Sequence, residues 1–153
     1  MNNFYNRLVL DFKKIRQTPL DGIDACPDED DIKKWVCVIF GPEDTIWENG
    51  IFQLRMEFTE EYPVKPPKIV FVSPMFHPNI YTNGSICLDV LKSNWSAVFD
   101  VSFILLAIQT LLNQPNPDSP ANTEAAELYK NNRSEYERRV KEVVQMSIKA
   151  IDE

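Results

Sequence analysis

Apolar residues recur at three- and four-residue steps near the start of the chain, where Phe4, Leu8, Phe12 and Ile15 fall on one face. That spacing predicts a helix over Asn3 to Gln17. Arg7, Lys13, Lys14 and Arg16 take its other faces, as solvated surface or as a docking surface. The pattern then changes. A short strand is expected near Gly22 to Cys26. KKWVCVIF (33–40), IFQLRMEF (51–58) and KIVFV (68–72) are rich in β-branched and aromatic residues, as strands are. GPEDTIWENG, bounded by Gly41 and Gly50, reads as the hairpin loop between the first two. Pro63, Pro66, Pro67, Pro74 and Pro78 each remove a backbone donor and bias the preceding residue towards extended geometry. Residues 73–100 are therefore expected to form an ordered, irregular segment. VSFILLAIQTLLN (101–113) is apolar nearly all round and reads as a buried helix. QPNPDSPAN breaks it, TEAAELYKN gives a short helix, and RSEYERRVKEVVQMSIKA gives a last one with Tyr136, Val140, Val143 and Ser147 along one side. Strands clustered in one run with helices at both ends predict an α+β fold, as a single domain over residues 1–153.

Composition narrows the function classes. With 153 residues, 44% hydrophobic and 25% charged, the chain has the balance of an ordinary globular protein. No apolar run is long enough to span a membrane, and MNNFYNRLVLDFKKIR lacks the apolar core of a signal peptide, so neither a membrane nor a secretory route is expected. The net charge of −7 opposes phosphate-backbone binding, so no direct nucleic-acid contact is expected. Cys26, Cys37 and Cys87 form no close pair and there is one histidine, which argues against zinc sites and a disulfide framework and for reducing cytoplasm or nucleus. No zinc site is expected.

The third cysteine stands out. In NGSICLDVL, Asn83-Gly84 is a favoured turn pair. If the chain leaves that turn extended, Ile86, Leu88 and Val90 point to the core while Cys87 and Asp89 share the exposed face. A carboxylate beside a thiol disfavours the thiolate, the opposite of what a hydrolytic cysteine needs. The setting suits a cysteine that carries an acyl group as a thioester, with Asp89 helping an incoming amine to orient or lose its proton. His77, in FHPNIYTNG, could complete a Cys-His pair, but Pro78 follows it and a structural hydrogen-bonding role is the simpler expectation. Asn79 could aim its amide at a developing oxyanion or bond only the local backbone.

HPN at 77–79, the NGSICLD run, YPVKPPK (62–68), PNPDSPAN (115–122), RLVLDFKKI and IFGPEDT together resemble the ubiquitin-conjugating enzymes over about residues 5–145. EFTEEYP, FVSPMFHPN, SPAN and EYERRV are most similar to the DNA-repair and chromatin branch. The resemblance implies an N-terminal helix, a four-stranded antiparallel meander and further helices. It implies that Cys87 accepts ubiquitin from an activating enzyme that has consumed ATP-Mg upstream, and passes it to a substrate lysine with a RING-type ligase, the carrier being a monomer. By the same resemblance Asn79 stabilises the oxyanion or holds the active-site loop. Asp89 and Ser119 flank the lysine's approach, and His77 and Pro78 are structural.

Some residues depart from the family pattern. The ligase-facing loop reads Trp95-Ser96-Ala97, without the proline common after Ser96, and Val64 matches the other ligase-facing loop. Asn6 and Leu10 replace bases on the first helix, so contact with the activating enzyme is expected to rest on Arg7, Lys13 and Lys14. Asp24 puts a charge where some members bind a second ubiquitin. Ser119 stands where several members carry Asp, and its phosphorylation would place about −1.5 to −2 charge beside the incoming lysine. The rival readings are a carrier of another ubiquitin-like modifier, a Cys87–His77 hydrolase, and an inactive binding variant.

Overall fold

The computed structural model describes residues 3–151. Helix α1 (Asn3–Gln17) leads into strands β1 (Ile23–Pro27), β2 (Lys34–Phe40), β3 (Ile51–Glu57) and β4 (Lys68–Phe71), followed by helices α2 (Val101–Asn113), α3 (Thr123–Asn131) and α4 (Arg133–Ile151). The strands form one antiparallel meander in chain order. The α+β architecture expected from the pattern is the one observed. Residues 73–100 hold no helix beyond a single 3-10 turn at Asp89–Leu91.

Alternation fixes which sheet face is buried. Ala25 pairs with Cys37, Cys37 with Leu54, and Leu54 with Phe71, so one row of inward side chains crosses all four strands. A register slip of one residue would turn that row outward. Burial, with Asp24 adding to it, pushes the Cys37 thiol up to about 12, so this cysteine is inert packing. Asp24 lies on the opposite, exposed face. Beyond β1 no further strand of the described residues pairs, and this edge runs through Pro27 into Asp28, Glu29, Asp30 and Asp31.

The helices close over the inner face. On α4, Tyr136, Val140, Val143, Val144 and Ser147 are buried, and the Ser147 hydroxyl accepts the Ile51 amide at 3.0 Å. Helix α2 is not buried all round. Phe103 and Leu106 are exposed, while Ile104, Leu105 and Ile108 are fully buried. Asp100 caps α2 by accepting the Phe103 amide at 2.9 Å, and its carboxylate also pairs with Lys14.

Helix α1 carries a carboxylate into the core. Asp11 is buried and accepts Arg7 Nε at 2.8 Å, the Val101 amide at 3.3 Å and the Tyr62 hydroxyl. The Arg7 guanidinium also donates to the carbonyls of Ala97 (2.8 Å) and Phe99 (2.5 Å) and stacks 5.1 Å from the Tyr62 ring centre. Burial, reinforced by the Asp11 carboxylate, pushes the Tyr62 hydroxyl up, so it stays a donor. Arg7, expected as an outward contact, is partly exposed and makes these bonds within the chain. Its guanidinium ties α1 to the loop before α2. Lys14 is engaged with Asp100, which leaves Lys13 as the exposed base of the expected three without an ion pair among the described residues.

Candidate active site

The segment that presents Cys87 is a small hairpin hung on β4. Ile80 bridges Ile86, Val70 bridges Ser85, and the Phe71 amide donates to the Gly84 carbonyl at 2.9 Å. Of the turn pair, only Gly84 takes positive φ (+93°), and a Cβ there would lie 2.2 Å from the Phe71 oxygen. Asn83 contributes differently, accepting the Ser85 amide on Oδ1 at 2.9 Å.

Cys87 follows, half-buried, its amide donating to the Asn79 carbonyl at 2.8 Å. Ile86 is buried and Leu88 packs on the core, so alternation holds through Leu88. It stops there. Asp89 begins the 3-10 turn, and Val90 is only partly buried. The single exposed face expected for Cys87 and Asp89 is therefore not formed by extended chain. The exposed Asp89 carboxylate accepts Asn94 Nδ2 at 3.0 Å. The group that faces the thiol is instead Lys92, whose Nζ lies 3.6 Å from Sγ. Sequence reasoning missed Lys92, because only the turn after Leu88 folds a residue five positions on back towards the cysteine.

His77 and Asn79 are both hydrogen-bonded within the fold. His77 is fully buried, with Nε2 donating to the Leu111 carbonyl at 2.7 Å and Nδ1 accepting the Asn79 amide at 2.9 Å. Both ring nitrogens are used within the fold, so no Cys87–His77 pair forms. The Asn79 amide meets one donor and two acceptors. Oδ1 accepts the Asn116 amide at 2.7 Å, and Nδ2 donates to the carbonyls of Asn116 (2.8 Å) and Ser119 (3.1 Å). The Pro78 carbonyl accepts the amides of Ala121 (2.7 Å) and Asn122 (3.0 Å). Pro78 and Asn79 thus clamp the 114–122 loop while His77 ties the segment to the end of α2, and Ser119 lies exposed on that loop.

Burial pushes the His77 imidazole down to about 4, against the opposing pull of the Leu111 and Leu112 carbonyls. The folded form therefore binds its proton less readily than the unfolded chain, near 6.5. Stability is complete above pH ~6.5 and falls as pH drops towards 4, by up to about 1.4 kcal/mol per pH unit from this group. Urea titrations between pH 6.5 and 4.5 check this. His77→Gln is expected to flatten the slope even if it is less stable throughout, and equal slopes would rule the histidine out as its source.

Two loops meet beside the site. Trp95 Nε1 donates to the Pro63 carbonyl at 2.9 Å, joining the loop that carries Val64 to the one that carries Ser96 and Ala97. Val64 is 77% exposed and Val98 81%, so the joined loops offer an apolar surface. Val98 was not singled out from sequence. Among the described residues no cluster of His, Cys, Asp and Glu is placed to hold a metal ion, and no helix is long and apolar enough to cross a membrane.

Residues 7–144 match the family described as "Ubiquitin-conjugating enzyme". The chain belongs to that family. It is 55% identical over 141 residues to "Ubiquitin-conjugating enzyme E2 1" of Caenorhabditis elegans, covering 92% of this chain and 73% of that one. It is 54% identical over 141 residues to "Ubiquitin-conjugating enzyme E2 3" of Arabidopsis thaliana, covering 92% and 94%. This conjugating enzyme is thus a carrier in the ubiquitin system, and membership implies ubiquitin, an activating enzyme and ligases as its partners.

Proposed function

We propose that Cys87 carries ubiquitin as a thioester and releases it to a substrate lysine under the direction of a RING-type ligase. The observation that supports this most is the presentation of a half-buried cysteine by a hairpin pinned to β4, with no imidazole free to make it hydrolytic. On loading, the Cys87 sulfur attacks the activating enzyme's thioester. A new C–S bond forms, the old one breaks, and the activating enzyme's thiolate leaves. On discharge, a lysine nitrogen forms the C–N bond, the C–S bond breaks, and Cys87 leaves as thiolate. Asp89 and Ser119 stand on the segments flanking that approach, Asp89 to help the amine lose its proton. Asn79 acts as a positioning residue by holding the Ser119 loop, with His77 and Pro78 as its structural support. ATP-Mg is consumed upstream, so the chain itself needs no cofactor.

Val64, Ser96 and Ala97, with Val98, form the surface we assign to the ligase. Ala97 in place of proline alters the loop's stiffness and so the choice of ligase. Lys13 is the base left for the activating enzyme, with Lys14 joining it only if it leaves Asp100. The segments EFTEEYP, FVSPMFHPN and SPAN support a place in the DNA-repair and chromatin branch, and with it the cytoplasm and nucleus. The carrier acts as a monomer.

The test mixes the enzyme with ubiquitin, activating enzyme and ATP-Mg and compares non-reducing with reducing gels. A band shifted by one ubiquitin, lost with thiol and absent in Cys87→Ala, is the expected result. A band that survives thiol treatment, or persists in the mutant, would overturn the assignment. Loading with a different modifier and its own activating enzyme alone would redirect it.

A further inference from the structure

The reaction we assign to Cys87 puts negative charge on the acyl carbonyl oxygen whenever the thioester forms or breaks. The nearby donors of the fold are already engaged. Asn79 Nδ2 donates to the carbonyls of Asn116 and Ser119, and both ring nitrogens of His77 are bonded. The Cys87 amide donates to the Asn79 carbonyl at 2.8 Å. What stands against the sulfur is a cation. Lys92 Nζ lies 3.6 Å from Cys87 Sγ. The 3-10 turn brings it there: the Leu91 and Lys92 amides donate to the carbonyls of Leu88 and Asp89 at 3.0 Å, and Leu91 packs on the core. No acid cancels the charge. The Asp89 carboxylate accepts Asn94 Nδ2 at 3.0 Å, and among the described residues Lys92 enters no ion pair.

Resting on the thioester reading of Cys87, we propose that the Lys92 ammonium is the oxyanion stabiliser of this site, a catalytic residue in both loading and discharge. The carbonyl carbon of a thioester is bonded to Sγ, so its oxygen lies beside the sulfur and within a small rotation of Nζ. On discharge the acceptor nitrogen attacks that carbon and the C–N bond forms. The carbonyl π pair moves onto oxygen, to which Lys92 donates an N–H. The pair then returns and the C–S bond breaks. The acceptor's proton passes by way of Asp89 to water, and Cys87 leaves as thiolate beside the same cation. On loading, the attack of Cys87 on the activating enzyme's thioester puts the charge on the same oxygen. Lys92 keeps its protons throughout.

Removing one preorganised oxyanion donor costs about 10²–10³ in rate. Lys92 is exposed on a flexible stem, where water and salt screen it, so about tenfold is the effect to expect.

The experiment charges the enzyme with ubiquitin, stops loading with a chelator of Mg²⁺, and follows loss of the thioester to hydroxylamine in a single turnover. This acceptor is uncharged near neutral pH, so its repulsion by Lys92 does not enter. Lys92→Met keeps a long stem without charge, and Lys92→Arg keeps a cation with donors. The methionine variant should react about tenfold more slowly than wild type. The arginine variant should stay within about twofold. The gap between wild type and Lys92→Met should shrink in about 1 M KCl, where charges are screened beyond roughly 3 Å, whereas a role in shape alone would not respond to salt. Thermal melts of both variants should match wild type, since the residue is exposed. Equal rates in wild type and Lys92→Met, an arginine as slow as the methionine, or a gap indifferent to salt would overturn the assignment and leave the thioester function standing. Absence of the thioester in wild type would bring down the functional reading, and this inference with it.

Discussion

Asn79→Ala is expected to slow discharge of the thioester to lysine about a hundredfold while loading changes far less. The substitution removes the partner of three backbone groups at once, the Asn116 amide and the Asn116 and Ser119 carbonyls. At about 1 kcal/mol per hydrogen bond, roughly 3 kcal/mol of loop anchoring is lost before relaxation. Misplacing a group by about 1 Å can cost on the order of a hundredfold in rate. In the mechanism we propose, discharge depends on the 114–122 loop lying correctly against the incoming amine, whereas loading brings its own large partner to the sulfur. Single-turnover discharge and amide hydrogen exchange of residues 114–122 should be measured together in the variant. Fast exchange with slow discharge is the expected pair. Slow discharge with native exchange would mean that Asn79 leaves the loop and donates directly to the oxyanion.

Asp11→Ala is expected to cost the fold about 3 kcal/mol, the lower end of the ~3–5 kcal/mol found when one partner of a buried ion pair is removed. The lower end applies because Arg7 keeps about a fifth of its side chain exposed (21%) and can recruit water. The loss still leaves the Tyr62 hydroxyl and the Val101 amide without their acceptor at the start of α2. For a chain of this size the melting temperature should fall by roughly 6–12 °C. Asp11→Asn, which keeps an acceptor oxygen but no charge, should lose less. Thermal melts of the two variants beside wild type check the order, and equal losses would mean that the acceptor oxygen without its charge contributes nothing.

The same two residues show where sequence reading succeeds and where it stops. Periodicity located the first and last helices, because Phe4, Leu8 and Ile15, or Tyr136, Val140 and Val143, repeat whatever their surroundings. It placed Phe12 on the buried face of α1 and passed over Asp11, which is the more deeply buried. A carboxylate three residues after Leu8 and four before Ile15, with Arg7 one turn earlier, was the available signal. Its partners at Tyr62 and Val101 are distant in sequence and could not be read. Cys87 was legible because a turn, an apolar alternation and the thiol sit within a few residues. Lys92 was not, since its position depends on where that alternation breaks. The engagement of Asn79 was legible only as two alternatives, since its partners lie at Asn116 and Ser119.

The outer side of β1 has a consequence for how crowded copies of this enzyme behave. A strand with one bare side is a template for another chain's backbone. Here that side ends at Pro27, which offers no amide, and runs directly into four acids, Asp28 to Asp31. Two copies meeting edge to edge would bring those carboxylates together on a chain already at −7. The stretch thus guards an open edge against pairing with another copy, and replacing its acids with neutral residues removes that guard.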